Sequence, residues 1–123
     1  MDTPKRILIV DDEPHIVLLL RAYLERSGYE VEEAFSGNEA IERMTENVYD
    51  LVLLDFFLPD RIGVDICRNM RLHHKLKETP IIIVTGFSNR EPADFLADGA
   101  SDVLFKPVTQ EDLIRKVQFY LPV

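Results

Sequence analysis

Three short runs in this chain are apolar at every position: Ile7–Val10, Leu51–Leu54 and Ile81–Val84. A strand with one wet face alternates apolar and polar residues, whereas a strand with only aliphatic side chains must be covered on both faces. Cover on both faces calls for helices above and below a sheet, and helical patterns do lie between the runs. Pro14–Ser27 places Ile16, Leu19, Leu20, Tyr23 and Leu24 on one face, with Gly28 as a stop. Asn38–Asn47 carries Ala40, Ile41 and Met44, with Ser36 or Gly37 at its start. Val64–Leu76 repeats apolar residues at Val64, Cys67, Met70 and Leu72. Arg90–Asp98 reads as a short helix closed by Gly99. Pro92 is tolerated there because first-turn N–H groups have no intrahelical partner. Thr109–Tyr120 has Thr109 as N-cap, acids at Glu111 and Asp112 in its first turn, and Leu113, Ile114, Val117 and Tyr120 beyond.

Two weaker strands complete the alternation. Val31–Phe35 is more polar and is predicted at a sheet edge, and Val103–Phe105 is a short fifth strand. The order is strand then helix, five times. That pattern argues for an α/β fold, a parallel sheet with helices on both faces. In open sheets of this kind the functional site lies at the carboxyl ends of the strands.

With 123 residues the chain is expected to be one domain, spanning 1–123. Fourteen basic against 22 acidic residues leave a net charge of -8, unsuited to direct nucleic-acid binding, which needs clustered Lys and Arg. A basic partner or a cation suits it better. Cys67 is the lone cysteine, so no internal disulfide can form, and it is predicted as a small core residue. The apolar stretch near the start is too short for a signal-peptide core, and no run approaches the roughly 20 residues that span a bilayer. A cytoplasmic location with no membrane partner is the expectation. His15, His73 and His74 have no matching ligand set and read as surface residues.

At the predicted carboxyl ends stand Asp11 and Asp12, Asp55, Thr85 and Lys106, from four separate strands. Taken singly each has an ordinary reading: acids at a helix start, a turn aspartate, a strand threonine, a surface lysine. Together they pose an electrostatic problem. Unit charges about 4 Å apart interact by roughly 1 kcal/mol in water and roughly 4 kcal/mol at an effective dielectric near 20. Lys106 offsets one carboxylate, and a hard divalent cation offsets the rest. Oxygen-only ligands suit Mg²⁺, which bonds one or two carboxylates and leaves room for a phosphoryl oxygen. Asp55 is the natural nucleophile, because a carboxylate can form an acyl phosphate. Thr85 and Lys106 would hold the other phosphoryl oxygens.

These residues sit in four blocks: ILIVDDE (7–13), LVLLDFFLPD…G (51–63), PIIIVTG (80–86) and GASDVLFKP (99–107). In order and at this spacing, they resemble the receiver domains of bacterial response regulators over essentially the whole chain. The resemblance implies a flavodoxin-like, doubly wound five-stranded sheet in the order 2-1-3-4-5. It implies Asp55 as phosphoacceptor, and Mg²⁺ held by Asp12 directly, by Asp11 mostly through water, by Asp55, and by the backbone carbonyl of Phe57. Thr85 resembles the switch hydroxyl and Lys106 the lysine that pairs with the phosphoryl group, before a Pro107 bond that is cis in many relatives. The implied phosphodonor is a phosphohistidine on a sensor histidine kinase or a phosphotransfer protein. The implied output surface runs from Arg90 to Tyr120, read by a downstream output domain or protein, with room for a phosphorylation-dependent homodimer.

Four positions depart from that pattern. Val103 stands where relatives often carry a switch Tyr or Phe, and Phe105 shares its strand face. Ile62 stands where Asp is common, and Phe57 and Phe87 place aromatic rings on both sides of the acceptor. Two bulky rings are expected to hinder attacking water and slow self-dephosphorylation. A non-switching interaction module is the alternative that Val103 keeps open. A phosphatase of the dehalogenase type is disfavoured, because Phe57 occupies the place of its second aspartate. The expected chemistry is autocatalytic, on the protein's own Asp55, with no turnover of a separate substrate. Flavin binding lacks a phosphate loop after the first strand.

Overall fold

The computed structural model describes residues 3–87 and 89–122. Five strands and five helices alternate: β1 (Arg6–Val10), α1 (Pro14–Arg26), β2 (Glu30–Ala34), α2 (Gly37–Glu46), β3 (Leu51–Leu54), α3 (Gly63–Leu72), β4 (Ile81–Thr85), α4 (Pro92–Ala97), β5 (Asp102–Phe105) and α5 (Gln110–Tyr120). The strands form one sheet in the order β2-β1-β3-β4-β5, parallel throughout, as the resemblance implies.

The wholly apolar runs are explained by two separate cores. Alternate strand residues point to opposite faces. Leu8, Val10, Val52, Leu54, Ile81, Ile83 and Val103 pack on one side with residues of α2, α3 and α4. Ile7, Ile9, Leu51, Leu53, Ile82, Val84 and Leu104 pack on the other with α1 and α5. β2 is the polar edge strand expected, and it covers its acids with cations. Arg6 pairs with Glu32, and Arg21 Nη1 lies 3.1 Å from Glu33 Oε2. Such charges on an edge also discourage pairing with another chain.

The ends of the helices follow their caps. Ser36 Oγ accepts from Glu39 N at 3.1 Å and starts α2, and Thr109 Oγ1 accepts from Asp112 N at 3.1 Å and starts α5. Gly28 and Gly99 follow α1 and α4 with φ of 93° and 111°, a region that costs other residues strain. Cys67 is buried, as expected, and His15 and His74 are exposed, while His73 is half-buried.

Two expectations are corrected. α1 turns Val17, Leu20 and Leu24 inward, and Leu19 is 43% exposed. Five consecutive aliphatic residues, Ile16–Leu20, left its inner face undetermined by pattern. α3 stops at Leu72, which is 89% exposed, and does not reach Leu76. Arg71 is the cause. Its guanidinium donates to the carbonyls of Thr79 at 2.7 Å, Lys77 at 3.1 Å and Gly99 at 2.9 Å, so the chain after α3 folds around a cation. Leu76 still reaches the core, from a turn. Among the described residues no helix is long and apolar enough to cross a membrane.

Candidate functional site

Sheet register brings the singled-out residues to one edge. Val10 pairs with Leu54, and the next amide, Asp55 N, donates to Val10 O at 2.9 Å, so Asp11 and Asp55 leave adjacent strands at one level. On the far side Thr85 pairs with Phe105, and Lys106 N donates to Thr85 O at 2.8 Å. The Lys106–Pro107 peptide bond is cis. Gly63 closes the loop after β3. A Cβ there would meet Asp55 O at 3.0 Å and the Phe56 Cα at 3.0 Å, so a side chain at this position would push α3 away from the acceptor's backbone.

The result is an open cleft lined by Asp12, Glu13, Asp55, Phe57, Thr85, Gly86, Phe87 and Lys106. Lys106 Nζ lies 2.9 Å from Asp11 Oδ2, 3.2 Å from Glu13 Oε1 and 3.8 Å from Asp55 Oδ2. Asp11 and Asp55 are buried, at 1% and 7% exposure, while Asp12 is open to solvent. Burial, then the Asp11 charge, push the Asp55 carboxyl up to about 6, against the pull of Lys106. Burial works against the Lys106 ammonium, but the facing carboxylates of Asp11, Asp55 and Glu13 more than offset it and raise its pKa. Thr85 is buried and its Oγ1 accepts from Phe87 N at 3.1 Å.

Carboxylate oxygens of Asp11, Asp12, Glu13 and Asp55 all lie within 4.8 Å of one another. One lysine cannot neutralise four acids. Asp11 Oδ1 accepts from Glu13 N at 3.0 Å, but among the described residues buried Oδ2 finds no well-directed hydrogen bond, although Lys106 sits beside it. A buried oxygen with a free lone pair, in an all-oxygen cluster, fits a hard divalent cation such as Mg²⁺.

Every site residue expected from sequence therefore lies at this edge. Two others were missed. Glu13 joins the acid cluster and holds Lys106, a role its place directly after the Asp pair could have suggested. Asp60 caps α2 from a distant loop, and no local pattern signals that.

Comparison with known proteins agrees with the geometry. Residues 7–118 match the response regulator receiver domain. The chain belongs to that family. It is 41% identical over 118 residues to the transcriptional regulatory protein ResD of Bacillus subtilis, covering 94% of this chain and 48% of ResD. The chain thus spans about half the length of the curated relatives it matches. Among solved structures, the Thermotoga maritima response regulator TrrA, in complex with Mg²⁺-BeF, superposes with a TM-score of 0.85 at 35% identity, covering 94% of this chain and 98% of that one. The receiver domain of a Pseudomonas aeruginosa sensor histidine kinase, with magnesium in its active-site cleft, gives 0.89 at 28% identity, covering 98% and 100%. This receiver domain is thus of the two-component signalling type, whose chemistry is phosphoryl transfer, and the non-switching reading is not favoured.

Proposed function

We propose that residues 1–123 act as one phospho-accepting receiver domain, with Asp55 as the acceptor, Thr85 and Lys106 holding the phosphoryl oxygens, and Mg²⁺ held by Asp11, Asp12, Asp55 and the Phe57 carbonyl. The observation that supports this most is the setting of Asp55: buried at the end of β3, inside the acid cluster, with Lys106 Nζ 3.8 Å away.

With a pKa of about 6, Asp55 is largely ionised at neutral pH, and burial strips it of hydration that would blunt a nucleophile. One carboxylate oxygen attacks the phosphorus of a phosphohistidine on a sensor kinase or phosphotransfer protein. The P–N bond breaks, its electron pair stays on the imidazole, and an acyl phosphate forms on Asp55. Lys106 turns from its carboxylates to the new phosphoryl oxygens, and the Thr85 hydroxyl donates to another. Mg²⁺, when bound, neutralises charge developing on the phosphoryl oxygens. Water later hydrolyses the acyl phosphate, so the chain transfers and releases a phosphoryl group on itself and turns over no separate substrate.

The output would be read by a downstream domain or protein at α4, β5 and α5, or by a second phosphorylated copy. ResD is called a transcriptional regulatory protein, and this chain matches 48% of it. With a net charge of -8, this chain is proposed to make no direct nucleic-acid contact. A cytoplasmic location fits a kinase partner that uses intracellular phosphate donors.

The test is an adduct. Incubation with Mg²⁺ and acetyl phosphate or beryllofluoride should modify Asp55 in the intact protein, and should fail in Asp55→Asn and without Mg²⁺. A folded wild-type protein that takes no adduct would overturn the reading.

A further inference from the structure

The loop from Asp55 to Gly63 carries the acceptor at one end and Phe57 two residues along. Within itself it closes as a short hairpin: Phe57 bridges Ile62, Leu58 N donates to Arg61 O at 3.1 Å, and Gly63 N donates to Phe56 O. Its tip is held from outside. Asp60 Oδ1 accepts from Gly37 N at 2.8 Å, and Asp60 Oδ2 accepts from Asn38 N at 2.8 Å. Arg61 Nε adds a bond to Asn38 Oδ1 at 3.0 Å. Both oxygens of one carboxylate are thus committed to the first two amides of a helix more than 20 residues away in sequence.

Those amides are groups that α2 cannot satisfy within itself. Ser36 serves only the third, Glu39 N. The positive end of the helix and the negative loop tip attract one another. The two amide hydrogen bonds, Asn38 first and then Gly37, hold the Asp60 carboxyl below its ordinary value. α2 is a firm anchor, since Ala40 and Met44 are buried in the core below the sheet. Asp60 is fully exposed, and burial does not explain where its side chain lies. The hairpin fixes the loop's internal shape, and this reach across to α2 ties its tip to the rest of the fold.

We propose that Asp60 is a positioning residue for the cation site: by bridging to the first two amides of α2 it fixes the 55–62 loop, and with it the Phe57 carbonyl. This rests on the reading of Phe57 as a ligand given above. Outer partners that orient a metal ligand typically change affinity 10–100-fold when removed. An exposed tie belongs at the lower end of that range.

The experiment is a Mg²⁺ titration followed by amide NMR shifts, in buffer near 0.15 M salt so that distant charge is screened beyond about 8 Å. The variants are Asp60→Ala, Asp60→Asn, Ser36→Ala and Asp65→Asn. Ser36→Ala weakens the same helix start without touching the loop. Asp65→Asn removes an exposed charge from the first turn of α3, just beyond the loop. Asp60→Ala should weaken Mg²⁺ binding by about tenfold. Asp60→Asn, which keeps one acceptor oxygen, should fall between it and wild type, and should serve alone if the alanine variant does not fold. Ser36→Ala should lose melting temperature but keep wild-type Mg²⁺ affinity, and Asp65→Asn should keep it too. Wild-type affinity in both Asp60 variants would overturn the proposal. So would an equal loss in Ser36→Ala, which would make the effect helix stability, or in Asp65→Asn, which would make it charge. A wild-type protein that takes up no Mg²⁺ would instead bring down the cation reading on which the proposal stands.

Discussion

Burial and the neighbouring Asp11 push the Asp55 carboxyl up to about 6, from an ordinary 3.8. Between those values the folded state holds more protons than the unfolded one. The contribution of Asp55 to stability therefore falls as pH rises through that window, and stays lower above it. In metal-free buffer Asp55→Asn should be more stable than wild type at pH 8, by roughly 1–2 kcal/mol after allowing for solvent at the cleft mouth. The gap should close below pH 4 and narrow when Mg²⁺ is added to wild type. Denaturant melts at the two pH values check this, and a variant less stable at pH 8 would contradict it. The same cleft carries a kinetic expectation. Phe57 and Phe87 both line it, with ring centroids 5.1 Å apart. Replacing both by small polar residues should shorten the Asp55 acyl-phosphate lifetime several-fold, measured by loss of label after donor removal. An unchanged or longer lifetime would show that the rings do not hinder water. Most of this site was legible in the sequence because its acids, hydroxyl and lysine fall directly at the ends of apolar runs. Glu13 was overlooked because an acid opening a helix has an ordinary explanation. Asp60 was not legible, since its partners are backbone amides that only the folded chain brings near.

At the scale of elements, legibility followed how strongly each segment's local chemistry pointed one way. The buried strands are apolar throughout because two cores, one on each face, leave them no wet side. Their identity could be read without contacts. α2 and α5 declared their starts through Ser36 and Thr109, whose side chains make the caps expected of them. α1 and α3 did not. In α1 the aliphatic run fits more than one inner face, and only the sheet below selects Val17 over Leu19. In α3 the apolar pattern continues past Leu72, but three distant carbonyls claim the Arg71 guanidinium and draw the chain into turns. Propensity near a helix end is worth a few tenths of a kcal/mol per residue, whereas a hydrogen bond to a charged group is worth roughly 1.5–3 kcal/mol. The longer-range contact wins, and sequence pattern cannot see it.

Across the whole molecule, a switch must link the cleft to the face that a partner reads, and Val103 is too small to do so as an aromatic would. The structure holds another continuous path. Phe57 meets Phe87 at 5.1 Å, Phe87 stacks on Phe56 at 5.9 Å, Phe56 meets Phe95 of α4 edge-on at 5.1 Å, and Phe95 meets Phe105 of β5 at 6.3 Å. The Arg90 guanidinium lies 5.0 Å from the Phe56 ring centre and 4.6 Å from that of Phe95, and pairs with Asp98 at 2.7 Å. In the proposed reading Thr85 would be the trigger. Its Oγ1 accepts from Phe87 N at 3.1 Å, and turning it to a phosphoryl oxygen would take that partner from the amide and free Phe87 to move. Adjacency alone does not prove coupling, which needs an element with two arrangements that both sites bias. Phe95→Leu separates the cases, because it keeps an apolar side chain in the core, at a cost of roughly 1–3 kcal/mol for the lost ring volume, while removing two ring contacts and the Arg90 stacking contact. Beryllofluoride should still shift amides around Asp55 and Thr85 in this variant. Shifts at Phe105 and along α4 should shrink, in keeping with a coupling loss of roughly 0.5–2 kcal/mol. Full-sized shifts at Phe105 would instead route the signal along the β4–β5 backbone, where Thr85 and Lys106 are already joined by a 2.8 Å hydrogen bond.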